Sequence, residues 1–184
     1  MRIITGQLRG RTLHVPRDAA FRPTTDRVKE SVFNILGALI DWEDSAVCDL
    51  FAGSGNLGIE ALSRGAPSCS FVEQSHASLS VLQRNITNLG ISARALVVQR
   101  SVEQFLKQTT DRFSLIIADP PYRYEKTAEL LDGVAQALKP DGIAVLEHEG
   151  ERPSSDTTSL HVFDRREYGT TAVTFFRKQN GGLS

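Results

Sequence analysis

The sequence predicts an α/β fold built on a mostly parallel sheet, and three observations carry that prediction. Five short apolar runs alternate with helix-length amphipathic stretches between Ala46 and Leu146. A glycine-rich loop, Gly53-Ser54-Gly55-Asn56-Leu57-Gly58, follows the first of these runs and opens a helix. The rhythm then breaks. Leu160–Phe163 and Ala172–Phe176 are strand-like with no helix-length segment between them, so they form an antiparallel pair joined near Tyr168-Gly169-Thr170.

The elements follow in order. Arg2-Ile3-Ile4-Thr5-Gly6 and Arg11-Thr12-Leu13-His14-Val15 read as a small hairpin around Gly6 and Gly10, in a segment short on core residues and punctuated by Pro16 and Pro23. A helix begins near Thr25, capped by Thr25 or Asp26, with Val28, Val32, Ile35 and Leu39 as its core-facing stripe. Ala46–Phe51 is the first parallel strand, and the helix opened by the glycine loop ends near Arg64-Gly65. Ser70–Glu73 is the second strand; Leu79, Leu82, Ile86 and Leu89 mark a helix stopped by Gly90. Ala95–Val98 is the third strand, followed by a short helix on Val102, Phe105 and Leu106. Phe113–Ala118 is the fourth and runs into Asp119-Pro120-Pro121-Tyr122. Leu131, Val134 and Leu138 mark a helix closed by Lys139-Pro140-Asp141-Gly142, and Ile143–Leu146 is the fifth strand. Internal repeats are absent, and Gly181–Ser184 reads as disordered. The organisation expected is a basic hairpin extension over 1–23, one domain over 24–178 and a tail over 179–184.

With 184 residues, 40% hydrophobic and 23% charged, the chain suits a single globular domain that buries a core without disulfide staples. No apolar run has transmembrane length, and the N-terminus lacks a signal-peptide pattern. Cys48 and Cys69 lie in apolar runs without metal-ligand spacing, which fits a reducing cytoplasm. No metal is expected. The four histidines are scattered and form no cluster. The net charge of −1 divides unevenly: residues 1–30 carry +4 and the remainder −5. A basic arm on an acidic body points to a polyanion contact at one end or to a solvated arginine-rich segment.

Two motifs carry chemistry. In the glycine loop, Gly53 and Gly55 let the backbone turn tightly beside a helix N-terminus, and Gly58 permits close packing of that helix on the sheet or approach to a ligand. Glu73 ends the next strand, where a carboxylate can hold a ribose diol. These features fit a dinucleotide. Asp49 does not, because a pyrophosphate is repelled by a carboxylate near the crevice floor, whereas a ligand bearing a sulfonium and an α-ammonium is attracted. The second motif, Asp119-Pro120-Pro121-Tyr122, is a stiff turn with a carboxylate, outward carbonyls and an aromatic ring. It suits a planar group bearing an amine.

Asp49-Leu50-Phe51-Ala52-Gly53-Ser54-Gly55 resembles the first motif of S-adenosylmethionine-dependent methyltransferases, and Asp119-Pro120-Pro121-Tyr122 resembles the motif of enzymes that methylate exocyclic or amide nitrogens. Arg22-Pro23-Thr24-Thr25-Asp26-Arg27-Val28-Lys29-Glu30 and the run Leu50–Gly65 resemble the RsmD family, bacterial enzymes that methylate the N2 amine of a guanine in small-subunit (16S) ribosomal RNA. The resemblance spans Arg2 to about Phe176. It implies a Rossmann-like class I methyltransferase fold, with a seven-stranded sheet, an antiparallel C-terminal strand and a small N-terminal hairpin. It also implies S-adenosyl-L-methionine as donor and small-subunit rRNA, within an assembling 30S particle, as substrate. Nothing in the sequence demands more than a monomer, and no membrane partner is expected of a cytoplasmic chain. The implied donor-binding set is Asp49, Phe51, Ala52, Gly53, Ser54, Gly55, Gly58, Glu73, Ser101, Val102 and Thr25. Ser101 stands where relatives place Asp or Asn beside the adenine. Asp119, Pro120, Pro121 and Tyr122 form the implied catalytic set. Arg9, Arg11, Arg22 and Arg27 are candidate RNA contacts, with Arg22 and Arg27 open also to a cofactor contact or a place flanking the helix. Arg123, Lys126, Arg165 and Arg166 border the same groove or are ordinary surface charges.

Other functions compete. A DNA adenine or cytosine amino-methyltransferase needs a target-recognition domain that 184 residues do not accommodate. A protein glutamine methyltransferase more often carries Asn at the position of Asp119. A dinucleotide-binding oxidoreductase explains the glycine loop but neither Asp49 nor the proline pair, and a non-catalytic RNA-binding module does not explain an intact acceptor motif.

Overall fold

Residues 46–178 fold into one seven-stranded sheet, seen in a computed structural model that describes residues 1–15, 26–121, 124–149 and 159–179. The strands are β1 (Ala46–Leu50), β2 (Ser68–Glu73), β3 (Ala95–Gln99), β4 (Phe113–Ala118), β5 (Leu138–Glu149), β6 (Leu160–Tyr168) and β7 (Thr171–Lys178). Their order across the sheet is β3-β2-β1-β4-β5-β7-β6. The first five are parallel, and β7 lies antiparallel between β5 and β6. The helices are α1 (Asp26–Gly37), α2 (Asn56–Ser63), α3 (His76–Leu89), α4 (Val102–Gln108) and α5 (Thr127–Ala137). Ser75 and Ser101 cap α3 and α4 by accepting from Ser78 N and Gln104 N, and Gly90 ends α3 in the left-handed conformation.

Because successive strand residues point to opposite faces, the sheet has two cores. Val47, Phe71, Leu115, Ile117, Val145 and Phe175 face α1, α2 and α3. Cys48, Leu50, Val72, Ile116, Leu146 and Phe176 face α4 and α5. Cys48 and Cys69 are buried free thiols. Among the described residues, no helix is long and apolar enough to cross a membrane.

The predicted order of elements holds, with local corrections. The α1 stripe is Val28, Val32, Phe33 and Leu36; the helix ends at Gly37, so Leu39 falls beyond it and is 43% exposed. The second strand starts two residues early, at Ser68, alongside Ala46. β5 begins directly after α5 at Leu138, because Leu138 pairs with Phe113 and Ile143 with Leu115 on either side of an irregularity. Lys139-Pro140-Asp141-Gly142 is therefore a bulge inside the strand, with Asp141 at φ +59°, and not a separate turn. β6 runs to Tyr168, past the expected end at Phe163. Its charged half, Asp164 to Glu167, pairs with β7 as an edge strand, and a register shift around Phe163 hides the alternation.

The N-terminal hairpin is clamped to this body. Ile3 N donates to Arg11 O (3.0 Å), Leu13 N donates to Met1 O (3.0 Å), and the side chains of Ile3 and Leu13 join the core. Beneath the hairpin lies a buried ionic network. The Glu60 carboxylate on α2 accepts from Ile4 N (2.8 Å) and Thr5 N (3.0 Å), pairs with Arg64 Nε (3.1 Å) and faces Lys29 Nζ at 3.5 Å. Lys29 also donates to Arg2 O and Asn56 Oδ1, both at 2.7 Å. Burial pushes the Lys29 amine below its ordinary value, and the Glu60 carboxylate opposes that shift. Breaking such a pair by deleting one partner costs about 3–5 kcal/mol, because a buried charge is left alone. Sequence reasoning missed this network; its signal was a lone acid, Glu60, inside the apolar run Leu57–Leu62.

Gly58 fixes how closely α2 approaches the sheet. A Cβ there would lie 2.4 Å from Phe71 Cε1, 2.7 Å from Cys69 Sγ and 3.0 Å from Asp49 Cβ. Gly58→Ala is expected to destabilise the fold by about 1–3 kcal/mol. In thermal denaturation this reads as a fall of about 2–4 °C per kcal/mol.

Candidate active site

The strand order reverses between β1 and β4, and open α/β sheets bind ligands at such a point, outside the carboxyl ends of the strands. Leu50 stands opposite Ala118 on one side and Val72 on the other, and Glu73 stands opposite Gln99. Register therefore brings the residues after β1, β2, β3 and β4 to a common edge. Their backbones are tied together there: Ala52 N donates to Val72 O (3.1 Å), Arg100 N to Glu73 O (3.2 Å) and Asp119 N to Leu50 O (3.4 Å).

The glycine loop is gripped from below and from both sides. Gly53 (φ +55°) and Gly55 (φ +83°) supply the left-handed turns, and Gly55 N donates to Ala52 O at 2.7 Å. Asp49 is fully buried beneath the loop, and its Oδ2 accepts from Gly58 N at 2.8 Å. Burial raises its carboxyl from an ordinary 3.8 to about 8; the Gly58 N–H opposes the rise and the Glu73 charge adds to it. Glu73 is half-buried: Oε2 accepts from Gly53 N (2.9 Å), and Oε1 accepts from Gln74 N and Ser75 N (both 2.8 Å). A carboxylate offers about four lone-pair sites, so one remains for a ligand hydroxyl. Ser54 is fully buried; its hydroxyl lies 3.9 Å from Met1 Sδ, and only its backbone shapes the loop.

That backbone has a third holder, which sequence reasoning missed. Asn85 on α3 is 1% exposed. Its Nδ2 donates to Ser54 O and His14 O, and its Oδ1 accepts from His14 N, each at 2.9 Å. One amide thus joins the glycine loop to the hairpin. The signal in the sequence was a polar residue on the apolar stripe Leu82–Ile86–Leu89.

The rest of the expected set falls around the same edge. Ser101 is half-buried as the α4 cap, and Val102 is buried behind it. Asp119 and Pro120 are half-buried and Pro121 is exposed. Phe51 adopts φ +60°, a conformation that costs a bulky residue about 1–3 kcal/mol and concentrates at functional sites. Its ring meets that of Tyr124 edge-on, with centroids 5.2 Å apart. The Tyr124 hydroxyl donates to Glu103 Oε1 at 2.8 Å. Burial, then Glu103, raises the Tyr124 phenol, while a backbone N–H and then the Tyr124 hydroxyl hold the Glu103 carboxyl below its ordinary range. This is a charge-assisted bond between a protonated phenol and an ionised acid. Arg9, Arg11 and Arg27 are exposed, with Arg11 Nη2 donating to Asn88 O at 3.1 Å. Thr25, Arg22 and Tyr122 lie outside the described residues.

The donor set suits a cation better than a phosphate. The loop faces two acidic side chains, Glu73 beside it and Asp49 under it, the latter a buried carboxyl that holds its proton to about pH 8 and whose ionisation a nearby cation favours. Glu73 and Ser101 would hold the ribose and adenine of S-adenosylmethionine, and the loop backbone its amino-acid portion.

Two outcomes follow. Asn85→Ala leaves Ser54 O and both His14 backbone groups without their partner; the expected loss is about 1–3 kcal/mol in stability together with weaker donor binding, checked by denaturation and by titration calorimetry. Asp49 keeps its proton in the folded chain to about pH 8, whereas the unfolded chain releases it near 3.8. Its contribution is therefore complete below about pH 4 and declines as pH rises toward 8. The melting temperature of Asp49→Asn should fall less than that of the wild type between those limits.

Comparison with known proteins identifies the family. The family described as conserved hypothetical protein 95 matches residues 1–177. Ribosomal RNA small subunit methyltransferase D of Escherichia coli K12 is 42% identical over 135 residues, covering 72% of this chain and 67% of that protein. The protein of the same name in Haemophilus influenzae is 37% identical over 158 residues, covering 83% and 81%. The solved structure of yhhF from Escherichia coli matches with a TM-score of 0.87 at 32% identity over 97% of this chain and 98% of that one. A family match along nearly the whole chain, these relatives and the two-motif crevice lead to one conclusion: this chain belongs to the RsmD family of S-adenosylmethionine-dependent, class I rRNA methyltransferases.

Proposed function

We propose that this protein transfers a methyl group to the exocyclic N2 amine of a guanine in small-subunit ribosomal RNA, within an assembling 30S particle, acting as a cytoplasmic monomer. The observation that carries the reading is the placement of Asp119-Pro120-Pro121 at the strand-order reversal, with Asp119 N bonded to Leu50 O beside the glycine loop. The names of the relatives supply the rRNA class, and the acceptor motif supplies the amine.

When bound, S-adenosylmethionine supplies an electrophilic methyl on a sulfonium and leaves as a neutral thioether. The protein's part is alignment. The Asp119 carboxylate and the Pro120 carbonyl accept the N2 hydrogens, which turns the nitrogen lone pair out of conjugation with the ring. Tyr122 stacks on the base and sets its plane. The extra proton on nitrogen leaves to water or to Asp119. On the donor side, Glu73 holds the ribose, Ser101 and Val102 border the adenine, and Gly53 and Gly55 cradle the amino-acid portion. Arg9, Arg11, Arg22 and Arg27 contact RNA phosphates, positioning the chain without reading sequence.

The test is methyl transfer from labelled donor to small subunits from a strain lacking the activity, followed by nucleoside analysis. N2-methylguanosine is expected; label in N6-methyladenosine, or only in protein, overturns the reading. In the same assay Asp119→Ala should lower kcat by about 10²–10³-fold while donor affinity holds.

A further inference from the structure

The acceptor motif is tethered at one end by Asp119 N on Leu50 O. Its other tether is Tyr124, whose side chain makes two contacts and whose backbone carbonyl makes a third. Its ring packs on Phe51, the first residue after β1, at 5.2 Å and 72°. Its hydroxyl donates to Glu103 Oε1 at 2.8 Å, and Glu103 follows Ser101 and Val102 in the chain. Its carbonyl accepts from Thr127 Oγ1 at 3.3 Å, at the start of α5. Phe51 itself sits at φ +60°, so its ring reaches Tyr124 from a conformation a bulky residue rarely adopts.

We propose that Tyr124 is a positioning residue that sets the reach of the acceptor segment toward the methyl donor, by joining the glycine-loop side of the crevice (Phe51) to its adenine side (Glu103). The inference rests on the methyl-transfer reading above and adds a residue outside both motifs. Tyr124 need not touch either substrate. Because Phe51 and Glu103 flank donor-binding residues on two separate strand ends, a donor that orders those ends also orders Tyr124, and through it the segment that presents the amine. Ordinary core packing is the rival explanation. It predicts that ring volume matters and that the hydroxyl does not.

The hydroxyl bond separates the two. Tyr124→Phe keeps the ring and loses the donor; kcat should fall roughly 10-fold while donor affinity and melting temperature stay near wild type. Glu103→Ala should match it, and the double variant should be no worse than either alone. Glu103→Gln, whose amide oxygen still accepts, should retain most of kcat. Wild-type kcat in Tyr124→Phe, additive losses in the double variant, or a loss explained by a smaller folded fraction would overturn the proposal. A second measurement needs no acceptor. S-adenosylhomocysteine should slow hydrogen exchange of the amides from Tyr124 into α5 in the wild type, and slow it less in Tyr124→Phe; equal slowing in both overturns the inference. If wild-type protein fails to make N2-methylguanosine, the reading of the substrate falls, while the exchange result still decides the role of Tyr124.

Discussion

Asp49, Glu73 and Asn85 hold the glycine loop by its backbone, and the shape of the crevice depends on that grip. Glycines at φ +55° and +83° give the loop its turns but no means of keeping them. Asp49 reaches up from β1 to Gly58 N, Glu73 across from β2 to Gly53 N, and Asn85 from α3 to Ser54 O. Each holder stands on a regular element, so the loop inherits the rigidity of the sheet and of α3. The arrangement places a carboxyl in a fully buried position, and burial raises its pKa accordingly. A methyl donor with two positive charges is the kind of ligand that relieves such a site.

The same loop is coupled to the N-terminal hairpin. Asn85 bonds His14 on both its backbone N–H and its carbonyl, and Glu60 accepts from Ile4 and Thr5 about one turn along α2. Lys29 closes the network from α1 by reaching Arg2 O and Asn56 Oδ1. A buried ion pair is seldom the most stabilising solution for a core. Here it ties together the hairpin, α1 and α2, which also share one apolar core.

The proposed catalysis needs little chemistry from the protein beyond alignment. The acceptor motif leaves β4 beside β1, so the two substrate-bearing loops are neighbours in the sheet although more than sixty residues apart in sequence. Asp119 is tied to Leu50, and Tyr124 to Phe51 and Glu103, so the strained Phe51 lies beside both contacts.

The sequence by itself determined the class of fold, the order of its elements and the two motifs, because periodicity, turn residues and glycine spacing are local properties of the chain. Gly90 marks a helix end that the structure reproduces, and Tyr168-Gly169-Thr170 turns the last two strands. Local rules misjudged the bulge at Asp141 and the charged half of β6, where pairing with a neighbouring strand overrode the turn chemistry and the lack of alternation. Only the tertiary structure decided the partners of Lys29, Glu60, Asn85 and Tyr124. Each looks like an ordinary polar residue on a helix or loop until folding brings its partner, from 21 to 71 residues away, within hydrogen-bonding distance. Burial then makes the bond obligatory, since a polar group removed from water must find its partner within the protein.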